Sequence, residues 1–327
     1  MKRFVSILLS VLLLLGMLTG CRKQEPQKAE QRQEKPQEQP PVAEESPEEA
    51  KALKIMILGS SRSVNTFHFL YEAFKDQMPE QELVLGVMYY SGCSMSMHMD
   101  FMKRDAAVYR YYCNSDGYWE ITENVNMTTG LKAQNWDVIL FQAGNGDLAN
   151  KVNEPARVYM KEYVDERVKH PHVFWWHSTW FNSTDPKLYE KANTKLKPED
   201  IDQYDSLTTG INAVKEHVMG DPMFAGHITS GTPMMYALKV LEVPEIELFR
   251  DHTHLSDYGC LLVAYAWYAQ FTGNPVTQIN LDKIPAYQRQ SMYQSLGDLE
   301  ITEEMKQIMI ETANYTLNNP WTVPVKE

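Results

Sequence analysis

The densest group of acid and base side chains in this sequence is the stretch Arg250-Asp251-His252-Thr253-His254. Asp251 and His254 are three residues apart, and that spacing places two side chains on one face of a turn or of a first helical turn. A histidine held by a carboxylate is the base of a nucleophilic triad, in which the carboxylate fixes the imidazole tautomer and stabilises the imidazolium. Such a pair activates a nucleophile, which another part of the chain must supply.

Three other interpretations of this stretch stay open. His252 competes with His254 as the base, although a residue directly beside Asp251 points elsewhere in a helix or strand. Asp251 could instead cap the helix that follows. Asp251, His252 and His254 are also ligand types that zinc accepts, but residues this close in sequence rarely converge on one ion. We therefore expect neither a metal nor a cofactor.

A serine-rich turn follows the first apolar segment of the folded region. Residues 53–58 have the pattern of a buried strand, and they continue directly into Gly59-Ser60-Ser61-Arg62-Ser63. Apolar residues at helical spacing over 67–74 predict a helix capped by Asn65 or Thr66. Because open α/β sheets bind ligands at the carboxyl ends of their strands, this turn is well placed for chemistry.

The same strand–turn–helix pattern recurs along the chain. Apolar strands at 82–88, 135–142, 172–176 and 226–228 each end in small or polar residues. Asp116-Gly117, between two aromatic and β-branched segments, predicts a hairpin. Strands that alternate with helices predict a three-layer α/β sandwich with a central parallel sheet of about five strands. Their polar turns should meet at one edge of that sheet.

Taken in order, these turns resemble the conserved blocks of the SGNH (GDSL-type) hydrolases. The resemblance extends from about residue 55 to residue 273 and is greatest to the bacterial branch of that superfamily carried as a domain of unknown function. It implies a flavodoxin-like SGNH hydrolase fold. The matching segments are Gly59-Ser60-Ser61, Ser91-Gly92-Cys93-Ser94 with His98, Phe141-Gln142-Ala143, Asn145, Trp176-His177-Ser178-Thr179-Trp180, Ser230-Gly231-Thr232 and Arg250-Asp251-His252-Thr253-His254-Leu255.

The resemblance implies a role for each residue of a catalytic triad. Ser61 would be the nucleophile, His254 the base that takes its proton, and Asp251 the residue that orients the base. Ser60 and Ser63 remain rival nucleophiles, since Ser60 stands where the family has Asp or Asn.

The resemblance also implies donors for an oxyanion. These are the backbone N–H groups of Ser61 and Gly92 and the side-chain amide of Asn145. The segment that contains Asn145 reads Ala143-Gly144-Asn145 here instead of the family's Gly-x-Asn, so Gln142 is an alternative donor. His177 is a further candidate for substrate binding, as a wall of the pocket.

The N-terminus has the features of an exported lipoprotein. Residues 1–20 combine a basic start with a short apolar core, which predicts a signal peptide rather than a permanent membrane span. Leu18-Thr19-Gly20-Cys21 is similar to a bacterial lipobox and predicts lipidation of Cys21. Residues 21–52 are rich in Gln, Glu and Pro, which predicts a disordered tether, and residues 53–327 form the folded domain.

Charge and cysteine content narrow the choice of partners and compartment. The net charge of -12 at pH 7 argues against nucleic acid as a partner. After Cys21 the chain has Cys93, Cys113 and Cys260, an odd number that allows at most one disulfide, and we interpret all three as reduced.

The sequence thus predicts a lipid-anchored, extracytoplasmic serine esterase. Its partners would be a small-molecule or glycan ester, with a carbohydrate or cell-envelope ester as the expected substrate, and the membrane through the lipid on Cys21. The alternative is a catalytically inactive lipoprotein of the same fold that binds a glycan or small ligand.

Overall fold

The computed structural model describes residues 52–143, 153–190, 192, 194–285 and 298–326. Within these residues the chain forms a seven-stranded sheet with buried apolar clusters on both of its faces. The predicted three-layer α/β fold is confirmed. The predicted signal peptide and nearly all of the predicted tether, together with Asn145, lie outside the described residues.

The elements follow one another in the predicted alternation. The strands are β1 Leu53–Gly59, β2 Leu83–Tyr89, β3 Tyr109–Asn114, β4 Trp119–Val125, β5 Val138–Ala143, β6 Val173–Ser178, β7 Phe224–Thr229, and the short pair β8 Lys283–Ile284 and β9 Leu299–Glu300. The helices are α1 Ser61–Phe67, α2 Leu70–Gln77, α3 Met95–Lys103, α4 Met127–Ala133, α5 Asn153–Arg167, α6 Gln203–His217, α7 Gly231–Lys239, α8 Glu245–Leu248, α9 Asp257–Thr272 and α10 Glu303–Asn318.

The strand order explains why the strand ends can form one site. The order is β4-β3-β2-β1-β5-β6-β7, and β2, β1, β5, β6 and β7 pair in parallel. Taken alone, the parallel strands have the flavodoxin-like order 2-1-3-4-5. The predicted hairpin at Asp116-Gly117 forms with a φ of 93° at Gly117. It joins the sheet through antiparallel β2–β3 pairing, which raises the strand number from about five to seven.

The central strands are apolar along their length because both faces of the sheet are covered. Alternate residues of β1 enter different cores: Ile55 and Ile57 belong to one, and Met56 and Leu58 to the other. Buried parallel strands of this kind show continuous apolar runs rather than an alternating pattern.

The first helix begins earlier than its apolar spacing predicts. The prediction of an N-cap at Asn65 or Thr66 is wrong, because α1 begins at Ser61 and both residues are buried inside it. Ser60 has extended backbone angles and directly follows β1. The first helical turn is polar, so apolar periodicity does not reveal it. As a result Ser61 is the first helical residue.

The long helix α9 is more deeply buried than its sequence pattern indicates. The spacing of Tyr258, Leu261, Leu262, Tyr265 and Tyr268 predicts one apolar face, but thirteen of the sixteen residues of the helix are buried. It packs against α10 and α2. The Ser256 hydroxyl accepts a hydrogen bond from the Gly259 N–H and caps the helix, so Asp251 is not the cap. This helix is a rigid support for the loop that precedes it.

A buried carboxyl group in α2 leads to a prediction about stability. Neither carboxyl oxygen of Glu72 has a hydrogen-bond partner in the described part of the chain. Burial raises the pKa of Glu72 from 4.5 to about 8. The folded protein therefore keeps a proton that the unfolded chain releases, and stability falls as pH rises from about 4.5 to about 8.

We expect Glu72→Gln to remove this dependence, because a glutamine does not ionise. At pH 8 the variant should exceed the wild type in free energy of unfolding by up to about 4 kcal/mol. Urea unfolding between pH 5 and pH 9 measures the difference, with the exposed Glu80→Gln as the matched control. An unchanged pH slope in Glu72→Gln would contradict the prediction.

Candidate active site

Ser61, His254 and Asp251 form a continuous hydrogen-bonded chain. The Ser61 Oγ lies 2.9 Å from His254 Nε2. The other ring nitrogen, Nδ1, lies 2.9 Å from Asp251 Oδ2 and 3.0 Å from Oδ1. Each nitrogen of the imidazole thus has one partner, a hydroxyl on one side and a carboxylate on the other. This geometry allows the imidazole to take the serine proton while the carboxylate holds the ring.

Asp251 is held in its charged form by several donors. The backbone N–H groups of Thr253 and His254 donate to its Oδ1 at 2.9 and 2.8 Å. Partial burial alone would raise the pKa of Asp251, but the hydrogen bonds from the His254 ring and from these two N–H groups outweigh it, so the pKa lies well below its ordinary value. Asp251 therefore carries a negative charge at neutral pH.

The loop that carries this pair is closed by its own backbone. Phe249 and Leu255 form an antiparallel bridge, and the Arg250 N–H donates to the His254 carbonyl at 3.0 Å. The three-residue spacing of Asp251 and His254 therefore brings both side chains together in a turn before α9, as the sequence predicts.

The other two serines of the turn have a different partner. Ser60 Oγ and Ser63 Oγ donate to Gln142 Oε1, at 2.9 and 2.8 Å. The Ser60 N–H donates to the same oxygen at 2.9 Å. Ser60 and Ser63 are buried. Of the three serines, Ser61 is the one that contacts His254.

These bonds also orient the side-chain amide of Gln142, at the end of β5. A backbone N–H can only donate, so the atom that faces Ser60 is the Gln142 oxygen and the Nε2 group lies on the other side. Gly59 makes this arrangement possible, since a Cβ there would lie 1.9 Å from Ser63 Oγ and 2.8 Å from Gln142 Oε1. Gly59 is therefore required by close packing.

Two of the proposed oxyanion donors, Gly92 and Ser61, lie at the same edge of the sheet. Gly92 is in the turn after β2, is exposed, and has a φ of 61° that favours glycine. The β1–β2 register pairs Gly59 with Tyr89, which brings this turn beside the serine turn. As the first residue of α1, Ser61 has a backbone N–H without a partner inside the helix. The oxyanion roles of Gly92, Gln142 and Asn145 stay predictions.

The structure does not bring His177 to the surface of the site. The ring is fully buried at the end of β6, where its Nε2 lies 2.9 Å from Ser230 Oγ, which also accepts a bond from Trp267 Nε1. Burial, with a smaller effect from the charge of Arg62, lowers the pKa of His177 to about 3. The neutral ring supports the strand end, and a direct contact with substrate would require the surrounding side chains to move.

His252 is directed away from the catalytic pair. Its ring packs against Tyr189 at 5.0 Å between centroids, and its carbonyl accepts a bond from the Ser183 N–H at 2.9 Å. Among the described residues, no three His, Cys, Asp or Glu side chains come together as a metal site. The three cysteines of the domain, Cys93, Cys113 and Cys260, are free thiols.

A cavity of about 500 Å³ is lined in part by Arg62, the residue that follows Ser61 in the sequence. Its lining also includes Asn182, the aromatic side chains of Trp180 and Phe181, and three exposed aspartates. The aspartates are Asp200, Asp202 and Asp205.

Three residues that connect the parts of the site, Arg62, Asn182 and Thr253, are not predicted as site residues from the sequence. Arg62 directly follows the predicted nucleophile, at a position where the SGNH hydrolases that the sequence resembles have an apolar residue. In the structure it donates to both Asn182 and Thr253. No local pattern identifies Asn182 or Thr253, which lie far from Arg62 in the sequence.

Comparison with known proteins identifies the family. The family model described as Domain of unknown function (DUF4886) matches residues 54–309. The solved structure of a DUF4886 family protein from Bacteroides uniformis matches with a TM-score of 0.67 and 22% identity, over 84% of this chain and 98% of that chain. At this identity the likeness concerns the fold.

Other matches are weaker. Two solved structures of catalytic mutants of Axe2, an acetylxylan esterase from Geobacillus stearothermophilus, have TM-scores of 0.40 and 0.39 at 10% identity, and each match covers 68% of this chain and 95% of that chain. Similarity at that level says nothing about the reaction. No curated protein matches the sequence. Because the family model spans most of the chain, the protein belongs to the DUF4886 family.

Proposed function

We propose that the protein is a serine ester hydrolase of the SGNH type. The observation that carries the proposal is the 2.9 Å contact between Ser61 Oγ and His254 Nε2, with Asp251 on the other ring nitrogen. A serine hydroxyl is a weak nucleophile unless a base takes its proton, and this arrangement supplies the base and its orienting carboxylate.

The reaction would proceed in two steps. Ser61 Oγ attacks the ester carbonyl carbon while His254 Nε2 takes the hydroxyl proton. The tetrahedral intermediate then collapses, and the alcohol leaves with that proton. Water next attacks the acyl-enzyme with His254 again as the base, which releases the acid and restores Ser61. The N–H groups of Ser61 and Gly92, with the amide of Gln142 or Asn145, would stabilise the oxyanion.

The surroundings of the site favour a neutral or cationic polar substrate over an anionic one. The cavity that Arg62 lines also carries Asp200, Asp202 and Asp205, whose negative charges would repel an anionic group. This supports an acyl ester of a carbohydrate or another cell-envelope component as the substrate.

The N-terminal sequence supports an extracytoplasmic location. A signal peptide over 1–20 and a lipid on Cys21 would anchor the protein to the membrane, with 21–52 as a tether. Over the part of the chain that the structure describes, no helix is long and apolar enough to cross a bilayer.

The alternative of an inactive binding lipoprotein rests on the atypical serine turn. It would be favoured if Ser61 lay beyond hydrogen-bond reach of His254. The Ser61 Oγ and His254 Nε2 atoms are 2.9 Å apart, which is within hydrogen-bond distance. This separation supports the enzyme over the binding protein.

A fluorophosphonate tests the proposal without knowledge of the natural ester. We expect Ser61 Oγ to attack phosphorus and displace fluoride, with His254 taking the proton. Trypsin cleaves after Arg62 and so separates Ser61 from Ser63, and fragment masses distinguish Ser61 from Ser60. The His254→Ala variant is the control and should label far more slowly. Labelling at another serine, or none in the wild type, would contradict the proposal.

A further inference from the structure

Arg62 joins the nucleophile's helix to two other segments. Its Nη1 donates to Thr179 Oγ1 at 3.1 Å and to the Trp180 carbonyl. Its Nη2 donates to Asn182 Oδ1 at 2.7 Å and to Thr253 Oγ1 at 2.9 Å. Arg62 directly follows Ser61, so these bonds connect the nucleophile to the segment after β6 and to the loop that carries His254.

The segment after β6, residues 179–184, is hydrogen-bonded in turn to the loop over residues 250–255 that carries Asp251 and His254. Thr253 Oγ1 donates to Asn182 Oδ1 at 2.9 Å, and Trp180 Nε1 donates to the Thr253 carbonyl at 2.9 Å. Thr253 lies between Asp251 and His254, and its N–H donates to Asp251 Oδ1. Arg62, Asn182 and Thr253 thus form a closed triangle of hydrogen bonds, which we call the Arg62 cluster.

The segment is also fixed at its far end. Glu245, in α8, accepts bonds from the Thr184 N–H at 2.6 Å, the Thr184 hydroxyl at 2.7 Å and Gln203 Nε2 at 3.1 Å. Partial burial would raise the pKa of Glu245, but bonds from Ser183, Thr184 and Gln203 lower it below its ordinary value. Glu245 therefore stays charged and holds the segment against α8 and α6.

The bonds of Arg62 point to positioning rather than to substrate binding. Both terminal nitrogens already donate to the oxygens of four protein groups. The guanidinium also packs over the Trp180 ring, 5.4 Å from its centroid. The planar guanidinium has several N–H donors in fixed directions and can bond to several fixed acceptors at once. A lysine ammonium, with all its donors on one nitrogen, cannot make the same set of bonds.

We propose that Arg62 is a positioning residue that, through Asn182 and Thr253, sets the separation of Ser61 and His254. The inference rests on the proposed function of Ser61 and His254. Because the nucleophile and the base are 193 residues apart in the sequence, their contact depends on such a connection. A displacement of about 1 Å between reacting groups can lower a rate about 10²-fold.

The first test is the rate of fluorophosphonate labelling per folded molecule, measured across pH. Arg62→Ala should label about 10²-fold more slowly than the wild type, and Arg62→Lys about 10-fold more slowly. Arg110→Ala is the matched control, since Arg110 is an exposed arginine that pairs with Glu123 in the hairpin. A wild-type rate in folded Arg62→Ala would overturn the proposal.

Substitutions of Thr253 test the cluster without removing a large side chain. Thr253→Val keeps the shape but loses the hydroxyl and should label about 10-fold more slowly, whereas Thr253→Ser should restore the rate. In the double variant Arg62→Ala/Thr253→Val, we expect a loss smaller than the product of the two single losses, because both changes break one cluster. Independent, multiplicative losses would contradict a shared role.

A spectroscopic measurement separates this inference from the proposed function. The proton between His254 Nδ1 and Asp251 gives a low-field NMR resonance that exchanges with water when the loop loosens. We expect faster exchange in Arg62→Ala and Thr253→Val than in the wild type and Arg110→Ala. Unchanged exchange would overturn the positioning role. If exchange is faster in these two variants but Ser61 of the wild type is never labelled, the positioning role would stand and the proposed function alone would be overturned.

Discussion

Replacing Ser61 with alanine should lower kcat for a small acyl ester by about 10⁴-fold or more. The substitution removes the attacking oxygen but little of the fold, since the side chain is only partly buried and its hydroxyl bonds to His254. We therefore expect the free energy of unfolding to change by less than about 1 kcal/mol. Hydrolysis of an aryl acetate and urea unfolding measure the two quantities.

Ser63→Ala is the matched control, because it should show the opposite pattern. Its hydroxyl is fully buried and donates to Gln142 Oε1. Losing that bond should destabilise the protein by about 1 kcal/mol while kcat stays within a few-fold of the wild type. If Ser61→Ala kept full activity, the assignment of the nucleophile would be wrong.

Asp251→Asn should have the second largest effect, a loss of kcat of about 10³- to 10⁴-fold. Asparagine preserves the size of the side chain but offers no charge to stabilise the imidazolium. It can also turn its NH₂ group toward His254 Nδ1, which favours the tautomer whose Nε2 carries the proton and cannot accept one from Ser61. Steady-state hydrolysis with the exposed Asp100→Asn as control measures the effect.

The same variant should change stability at acid pH. The pKa of Asp251 is lower in the folded protein than its ordinary 3.8, so ionised Asp251 stabilises the fold above that value. This contribution disappears as pH falls from 3.8 toward the folded pKa, because in that range the unfolded chain takes up a proton that the folded protein does not. Acid unfolding should therefore be less steep below pH 4 in Asp251→Asn than in the wild type. An equal steepness would show that the Asp251–His254 bond does not form in solution.

The sequence by itself determined most of the strands and helices of this protein and the alternation of strands with helices along the chain. Apolar runs identified the strands, since a strand buried on both faces is apolar throughout, and Asp116-Gly117 identified the hairpin by the backbone angles that such a turn requires. The spacing of Asp251 and His254 placed them on one face of a turn. These features depend on neighbours within a few residues, which the sequence displays directly.

Only the tertiary structure decided which groups meet at the strand ends. Ser61 and His254 are 193 residues apart, and Arg62 and Thr253 are 191 apart. Three serines share one turn, and their hydrogen bonds show which of them is the candidate nucleophile. The hydroxyls of Ser60 and Ser63 donate to Gln142, whereas the Ser61 hydroxyl contacts His254. Such contacts depend on strand register and packing across the sheet edge, for which no local pattern exists in the chain.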